Sequence, residues 1–467
     1  MAVSKTQFIN YSRCPRYVAL DEVKRERLYA DITYEEYLED ELEEKINEIL
    51  SSMYQEGEEG EEDLIDRVDE ELMVMLPYYK KIEELAGKKI EKLFPGVSIY
   101  AESTFSQKSF EFSENGIKYL CYIDIYNESE GKINIIEVKA TTSNKYLVGL
   151  STGYHGKEKY SIFYQDTKGI YHLKEELKNW RPELEMPMDN YKKNKNKLMD
   201  RYSETGKYVY DLALQRMIIE KSLEKTDFNL NNINYYLAVL NHEYVFDGTY
   251  KNNEPVYTDD IITIFDFTNL TKEMQPLVLE DKKRVEKYLL EMDLKECPLG
   301  AHCEYKKRGK CKFVDICFKH IPKENSSLNY MNNGQGFKTE DGTRIKGLDL
   351  INAGYIHMLD IPESWITNSN HHIQREALIS GKPYINKEKI MLALNNLTYP
   401  IYHLDFETFA SPLPRFKGEK CYTQSPFQFS LHIERAPGVC NKGKDHFEFL
   451  ATSFYEDTRE ELIKKLC

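Results

Sequence analysis

The sequence has no apolar run near the ~18 residues of a membrane helix, which excludes a helical span. Its opening residues, MAVSKTQFINYSRCPRYVAL, have no signal-peptide core, so a cytoplasmic location is expected. Internal repeats are absent, and so are the paired C-x₂₋₄-C motifs of common zinc sites. An excess of basic residues is missing too. The net charge of −15 argues against a uniformly basic phosphate-binding surface. Much of the acid is local, between Glu35 and Glu71, where EGEEGEED reads as a solvated loop between helices. KKNKNK (Lys192 to Lys197), KKRVEK (Lys282 to Lys287) and YKKRGKCK (Tyr305 to Lys312) are basic, although such runs are more often solvated faces.

What is present is an ordinary globular composition, 41% apolar and 30% charged, over 467 residues, enough for about two or three domains. Within it, YIDIYNESEGKINIIEVKATTS places acids inside strand-like runs. Ser129-Glu130-Gly131-Lys132 is turn chemistry between Ile- and Val-rich segments. A turn centred on Glu130 and Gly131 sets Asp124 directly opposite Glu137, with Cβ atoms roughly 4.5–5.5 Å apart. Lys139, two residues on, shares that face. Like charges so placed destabilise a sheet unless a cation lies between them, and Mg²⁺ or Mn²⁺ suits two carboxylates. Lys139 would then orient or activate the attacking water. An isolated E-x-K is ordinarily a solvent-facing ion pair. The register-matched Asp124 and the apolar INII before Glu137 are what favour the metal reading.

Residues 35–94 read as acidic helices. Strands are expected around Val97–Phe105, Tyr119–Glu128, Ile133–Ala140, Ile233–Leu240 and Ile261–Phe267, and helices at Tyr208–Leu223 and Thr271–Met292. Residues 144–207 read as a polar insertion. This interleaving indicates an α/β fold. Residues 322–398 read as a linker and small helical segment. Residues 399–467 open a second sheet with YPIYHLDFE and PFQFSLHIE and end in a helix, where Thr458 and Glu461 form an expected capping box.

Nine cysteines in a chain of this class suggest metal or cluster ligands rather than disulfides. CPLGAHCEYKKRGKCKFVDIC holds Cys297, Cys303, Cys311 and Cys317, and Cys14 stands alone in SRCPR. Four thiolates close either a zinc site or an iron–sulfur cluster, and spacing does not choose between them.

The N-terminal Cys-Pro, the D…E-x-K hairpin, a downstream helix bearing Gln215 and the C-terminal Cys triplet together resemble RecB-type nucleases of the PD-(D/E)XK superfamily. The order IYAESTF, IIEVKATTS, DLALQ, GAHCEYKKRGKCKFVDIC, YPIYHLDFETF resembles, across the chain, the bacterial domain of unknown function 2779. That family joins such a nuclease to a DEDD-exonuclease-like domain of RNase H fold. The resemblance implies a restriction-endonuclease-like core with helical flanks over residues 1–321, followed by a partial RNase H-like domain over 399–467. It implies a four-iron cluster on Cys14, Cys303, Cys311 and Cys317, with Cys297 as an alternative ligand, that staples the ends of the nuclease domain. Asp124, Glu137 and the Val138 carbonyl take the metal role, Lys139 the catalytic role, Gln215 the role of orienting Lys139, and Glu102 lines the site. The early-helix His of many relatives is not evident, and Glu84 or Glu91 is a weak substitute. Gln215 lies so far past Lys139 that residues 144–207 are expected to loop out. Asp405 and Glu407 match the first D-x-E of DEDD exonucleases, whose later acids are expected beyond Cys467. That second site is incomplete: either the chain is a fragment, or this region is a remnant that docks a protein partner.

The expected function is a Mg²⁺- or Mn²⁺-dependent nuclease acting on DNA, with some of the 35 tyrosines stacking on bases. The alternative is an inactive nucleic-acid-binding or protein-interaction scaffold whose cysteines hold iron–sulfur or zinc.

Overall fold

A computed structural model describes residues 2–25, 68–104, 106–155, 158–300, 302–303 and 311–467. The acidic run Glu56–Asp63 and the lysines between Cys303 and Cys311 lie outside the described residues. The architecture is mixed α/β. Strands β1 (Ala2–Ser4), β2 (Val97–Ile99), β3 (Lys108–Glu114), β4 (Ile117–Ile123), β5 (Ile125–Ser129), β6 (Lys132–Thr142), β7 (Phe163–Gln165), β8 (Ile170–Leu173) and β9 (Ile233–Leu240) come first. The small hairpin β10 (Tyr250–Lys251) and β11 (Glu254–Pro255) and strand β12 (Ile262–Asp266) follow. The main sheet runs β2-β5-β6-β9-β12-β8-β7, and a three-stranded sheet runs β1-β4-β3.

The hairpin β5–β6 pairs Ser129 with Lys132 and Ile125 with Ile136. Glu130 and Gly131 both take positive φ, 54° and 72°. That is the backbone of a type I′ turn, which matches the twist of the strands it joins. Register is reinforced by a buried amide ladder. Asn134 donates to Asn127 and Asn234 donates to Asn134, each at 2.9 Å, across β5, β6 and β9.

Both faces of the sheet are covered, so its central strands are largely apolar, and the polar residues they carry are buried. Ile136, Val138 and Ala140 of β6 pack with Tyr79, Ile82, Ala86 and Ile90 of the helix Val68–Leu93. The opposite face, with Ile135, Leu237 and Val239, packs against the helices Lys5–Tyr11, Gly206–Leu223 and Gln275–Glu291. By strand alternation Glu137 and Lys139 face this second layer.

The structure departs from the sequence expectations at several points. Tyr119–Glu128 is two strands in two sheets, with Asp124 at the handover. The segment after β2 turns into a short helix, Ala101–Thr104, instead of continuing as a strand. Residues 144–207 do not simply loop out: β7 and β8 join the main sheet through parallel pairing of β8 with β12. The helix expected over Thr271–Met292 is two helices, Thr268–Glu273 and Gln275–Glu291, with Pro276 starting the second. Pro at that position lacks only an N–H that has no helical partner anyway.

Residues 322–398 hold more structure than a linker. A hairpin of β13 (Phe337–Lys338) and β14 (Arg344–Ile345) and the helices Leu348–Asn352 and Ser369–Ser380 surround a small core of Tyr330, Phe337, Leu350, Met358 and Ile361. The last sheet orders β15 (Ile401–Ala410), β16 (Gln424–Glu434) and β17 (His446–Leu450), and the helix Arg459–Leu466 packs on it. Thr458 precedes that helix without a side-chain cap bond, so the expected capping box does not form. The connection between β15 and β16 reaches the main sheet, where Tyr422 Oη donates to the Ala140 carbonyl at the end of β6.

Candidate active site and cysteine cluster

Asp124 is buried where the chain leaves one sheet for the other. Its Oδ2 accepts the Val138 N–H at 2.9 Å, and Gln107 Nε2 approaches Oδ1 at 3.4 Å. A carboxylate thus supplies the acceptor at the β6 position just past the end of the β5 ladder. The Val138 carbonyl accepts Tyr79 Oη at 2.9 Å.

Glu137 is fully buried. Its Oε1 accepts Lys5 Nζ at 2.8 Å and Lys139 Nζ at 3.0 Å, while Gln215 Nε2 donates to Oε2. Burial alone would raise this carboxyl's pKa. The Lys139 and Lys5 ammoniums at contact distance outweigh burial and hold it far below the usual carboxylate range. The structure therefore brings Glu137, Lys139 and Gln215 into direct contact and sets Asp124 against the residue between Glu137 and Lys139. Glu102 lies on the helix Ala101–Thr104, and its side chain falls outside what is described.

Whether these residues suit a divalent ion depends on their donor atoms. Asp124, at the handover between β4 and β5, and Glu137 on β6 supply two carboxylates. Gln215 Oε1 and Thr141 Oγ1, both buried, have no hydrogen-bond partner among the described residues. A hard, oxygen-rich set of this kind suits Mg²⁺ or Mn²⁺, which take one or two carboxylates and complete their shell with water and substrate oxygens. Among the described residues no three His, Cys, Asp or Glu side chains close on one metal position.

Three residues here escape the sequence reading. Lys5 lies in the first turn of a helix whose N-cap, Ser4, forms a capping box with Gln7. Glu83 is buried and accepts the Ala101 N–H at 3.2 Å, one helical turn from Tyr79. Glu84 instead pairs with Lys81 and Lys88, and Glu91 accepts the Tyr100 hydroxyl at 3.3 Å, so among the described side chains of that helix the buried acid is Glu83. A signal for it exists: Glu83 interrupts the stripe Tyr79, Ile82, Ala86, Ile90. Asp211 is buried one turn before Gln215.

Cys14, Cys297, Cys303, Cys311 and Cys317 line one cavity, together with Tyr17 and Phe313. Tyr17 N–H donates to Cys14 Sγ at 3.4 Å, and the Tyr17 and Phe313 rings meet edge-on at 5.0 Å. Lys312 pairs with Asp21 on the helix Pro15–Arg25, tying the two ends together. Cys297, the alternative ligand, is hydrogen-bonded to Cys14. That bond, helped by Arg16, lowers the Cys297 thiol to about 6 and raises Cys14. Burial pushes Cys303 up to about 11 and also raises Cys311 and Cys317.

The basic runs are partly consumed by ion pairs. Lys195 bridges Glu175 and Glu273, Lys282 bridges Glu114 and Glu286, and Arg284 pairs with Asp281. Asp405 and Glu407 lie exposed on β15, opposite Ser430 and Gln428. Their neighbours in the β16 register are thus uncharged, and the adjacent row of that face is His403, His432 and His446.

None of the described helices is long and apolar enough to cross a membrane. No curated protein matches the chain. Residues 402–467 match the family model described as Domain of unknown function (DUF2779).

Proposed function

We propose that this chain is a metal-dependent nuclease that hydrolyses DNA phosphodiester bonds, with a PD-(D/E)XK core in residues 1–321 and a partial RNase H-like domain in 399–467. The observation that carries the reading is the meeting of Glu137, Lys139 and Gln215 in one contact group, with Asp124 bonded to the intervening Val138. When bound, a Mg²⁺ or Mn²⁺ ion supplies Lewis-acid stabilisation of the phosphate and a more acidic water. Asp124 and Glu137 hold it. Lys139 presents an ammonium to the reacting phosphate and offsets the charge that develops there. Gln215 fixes the rotamer of Glu137 and through it the position of Lys139.

The five-thiol cavity supports an iron–sulfur cluster that closes the ends of the domain. Five cysteines line this cavity, and thiolates are the soft ligands that iron–sulfur clusters take. On this reading the cluster is structural.

The test is cleavage of single- and double-stranded DNA, with and without Mn²⁺, by wild type and by Lys139→Ala. Metal-dependent cleavage lost in the variant supports the proposal. Equal cleavage by both, or none by either, rejects it. One observation favours a second reading, the inactive scaffold: the Glu137 side chain is 0% exposed and that of Lys139 4%, so the ion pairs form a closed network. A scaffold would bind DNA or a protein partner without turnover in the same assay.

A further inference from the structure

Glu137 Oε1 has two ammonium partners where a metal-binding acid would be expected to keep an oxygen open. Lys139 reaches it from the same strand. Lys5 reaches it from the other end of the nuclease domain, at 2.8 Å, with both side chains buried. A divalent ion at Glu137 would stand beside two like charges, in surroundings where water screens poorly. One ammonium has to give way.

The two lysines stand on different elements. Lys139 is on a central strand with sheet on both sides, pairs with Val239 in the β6–β9 ladder, and has its ammonium 5.7 Å from the Tyr208 ring. Lys5 begins a seven-residue helix, entered from a three-residue strand. Its four-carbon stem can swing the ammonium away while the helix stays in place.

We propose that Lys5 is a displaceable counter-cation. Its ammonium holds Glu137 Oε1 in the metal-free protein and leaves when a divalent ion binds, so Lys5 sets the metal concentration at which the site loads. This rests on the proposed nuclease reading of the site. Lys5 is a positioning residue here, acting through Glu137. Two consequences separate this role from a purely structural pair. Removing the Lys5 charge tightens metal binding, and metal binding exposes the Lys5 amine.

Mn²⁺ binding to the full chain, read from the loss of free-ion signal in electron paramagnetic resonance, tests the first consequence. Lys5→Met is expected to bind Mn²⁺ about tenfold more tightly than wild type, Lys5→Arg like wild type, and Glu137→Gln not at all. Amine acylation of wild type, followed by mass spectrometry, tests the second without any substitution. Lys5 labelling is expected to rise several-fold on adding Mn²⁺. Unchanged or weaker Mn²⁺ binding by Lys5→Met overturns the inference, as does Lys5 labelling that ignores Mn²⁺. If Lys5→Met fails to fold, the labelling result decides alone. Absence of Mn²⁺ binding by wild type and Lys5→Met alike overturns the metal reading and this inference with it, whereas equal binding by the two overturns this inference only.

Discussion

Tyr79 and Val138 are joined by a hydrogen bond of 2.9 Å from phenol to backbone carbonyl, which ties the helix Val68–Leu93 to the strand that carries Glu137 and Lys139. A neutral buried hydrogen bond contributes about 0.5–1.5 kcal/mol net. Tyr79→Phe is therefore expected to lower stability by about 1 kcal/mol in urea denaturation. It should also weaken Mn²⁺ binding little, since the Val138 carbonyl is then released for the ion.

Glu137→Leu should be far more damaging. It strips the shared acceptor from two buried ammoniums, and removing one side of a buried ion pair costs about 3–5 kcal/mol. Equilibrium unfolding of this variant beside Lys5→Met and Lys139→Met measures it. Either lysine variant leaves the carboxylate one cationic partner and should lose less.

Acid sensitivity follows from the same carboxylate. Its pKa in the folded chain lies well below the ordinary value of 4.5, because Lys139 and Lys5 together outweigh burial. A depressed folded-state pKa means the unfolded chain binds the proton first as the pH falls. The stabilisation from Glu137 is complete above about pH 4.5 and is lost progressively below it, down through the depressed folded-state value. Unfolding free energies from pH 6 to pH 3 should fall more steeply for wild type than for Glu137→Gln. Parallel slopes would show that Glu137 is not the group responsible.

At the cysteine cavity, Cys297 is hydrogen-bonded to Cys14 and lines the same space as Cys303, Cys311 and Cys317. Thiolates are the ligating form. Cys297→Ser is expected to cut iron per chain, in anaerobically purified protein, as strongly as Cys14→Ser does. Full iron content in Cys297→Ser would return the ligand set to Cys14, Cys303, Cys311 and Cys317.

Much of this site is legible in the sequence because its parts are local. Ser129 to Lys132 dictate the turn, and strand alternation then carries the register to Glu137 and Lys139. The helix Gly206–Leu223 is legible from its composition, but Gln215 within it is legible only through the family resemblance. Lys5 is not, because its partner lies 132 residues away and nothing local marks a lysine in a first helical turn as buried. Strand-like composition across Tyr119–Glu128 hides the change of sheet at Asp124, since both halves have the same alternation. The contribution of β7 and β8 is hidden for a related reason. Three- and four-residue strands show too few periods to stand out from a polar stretch.

The asparagine ladder across β5, β6 and β9 has a mechanical consequence. Each rung accepts only its own neighbour, so a hairpin displaced by one residue would break both amide bonds and present apolar Val138 to Lys5 and Gln215 in place of Glu137. The rungs therefore act as a vernier for the acid three residues further along β6. Aliphatic residues in their place would keep the sheet filled but allow several alignments to coexist, and the chemistry would be diluted among them.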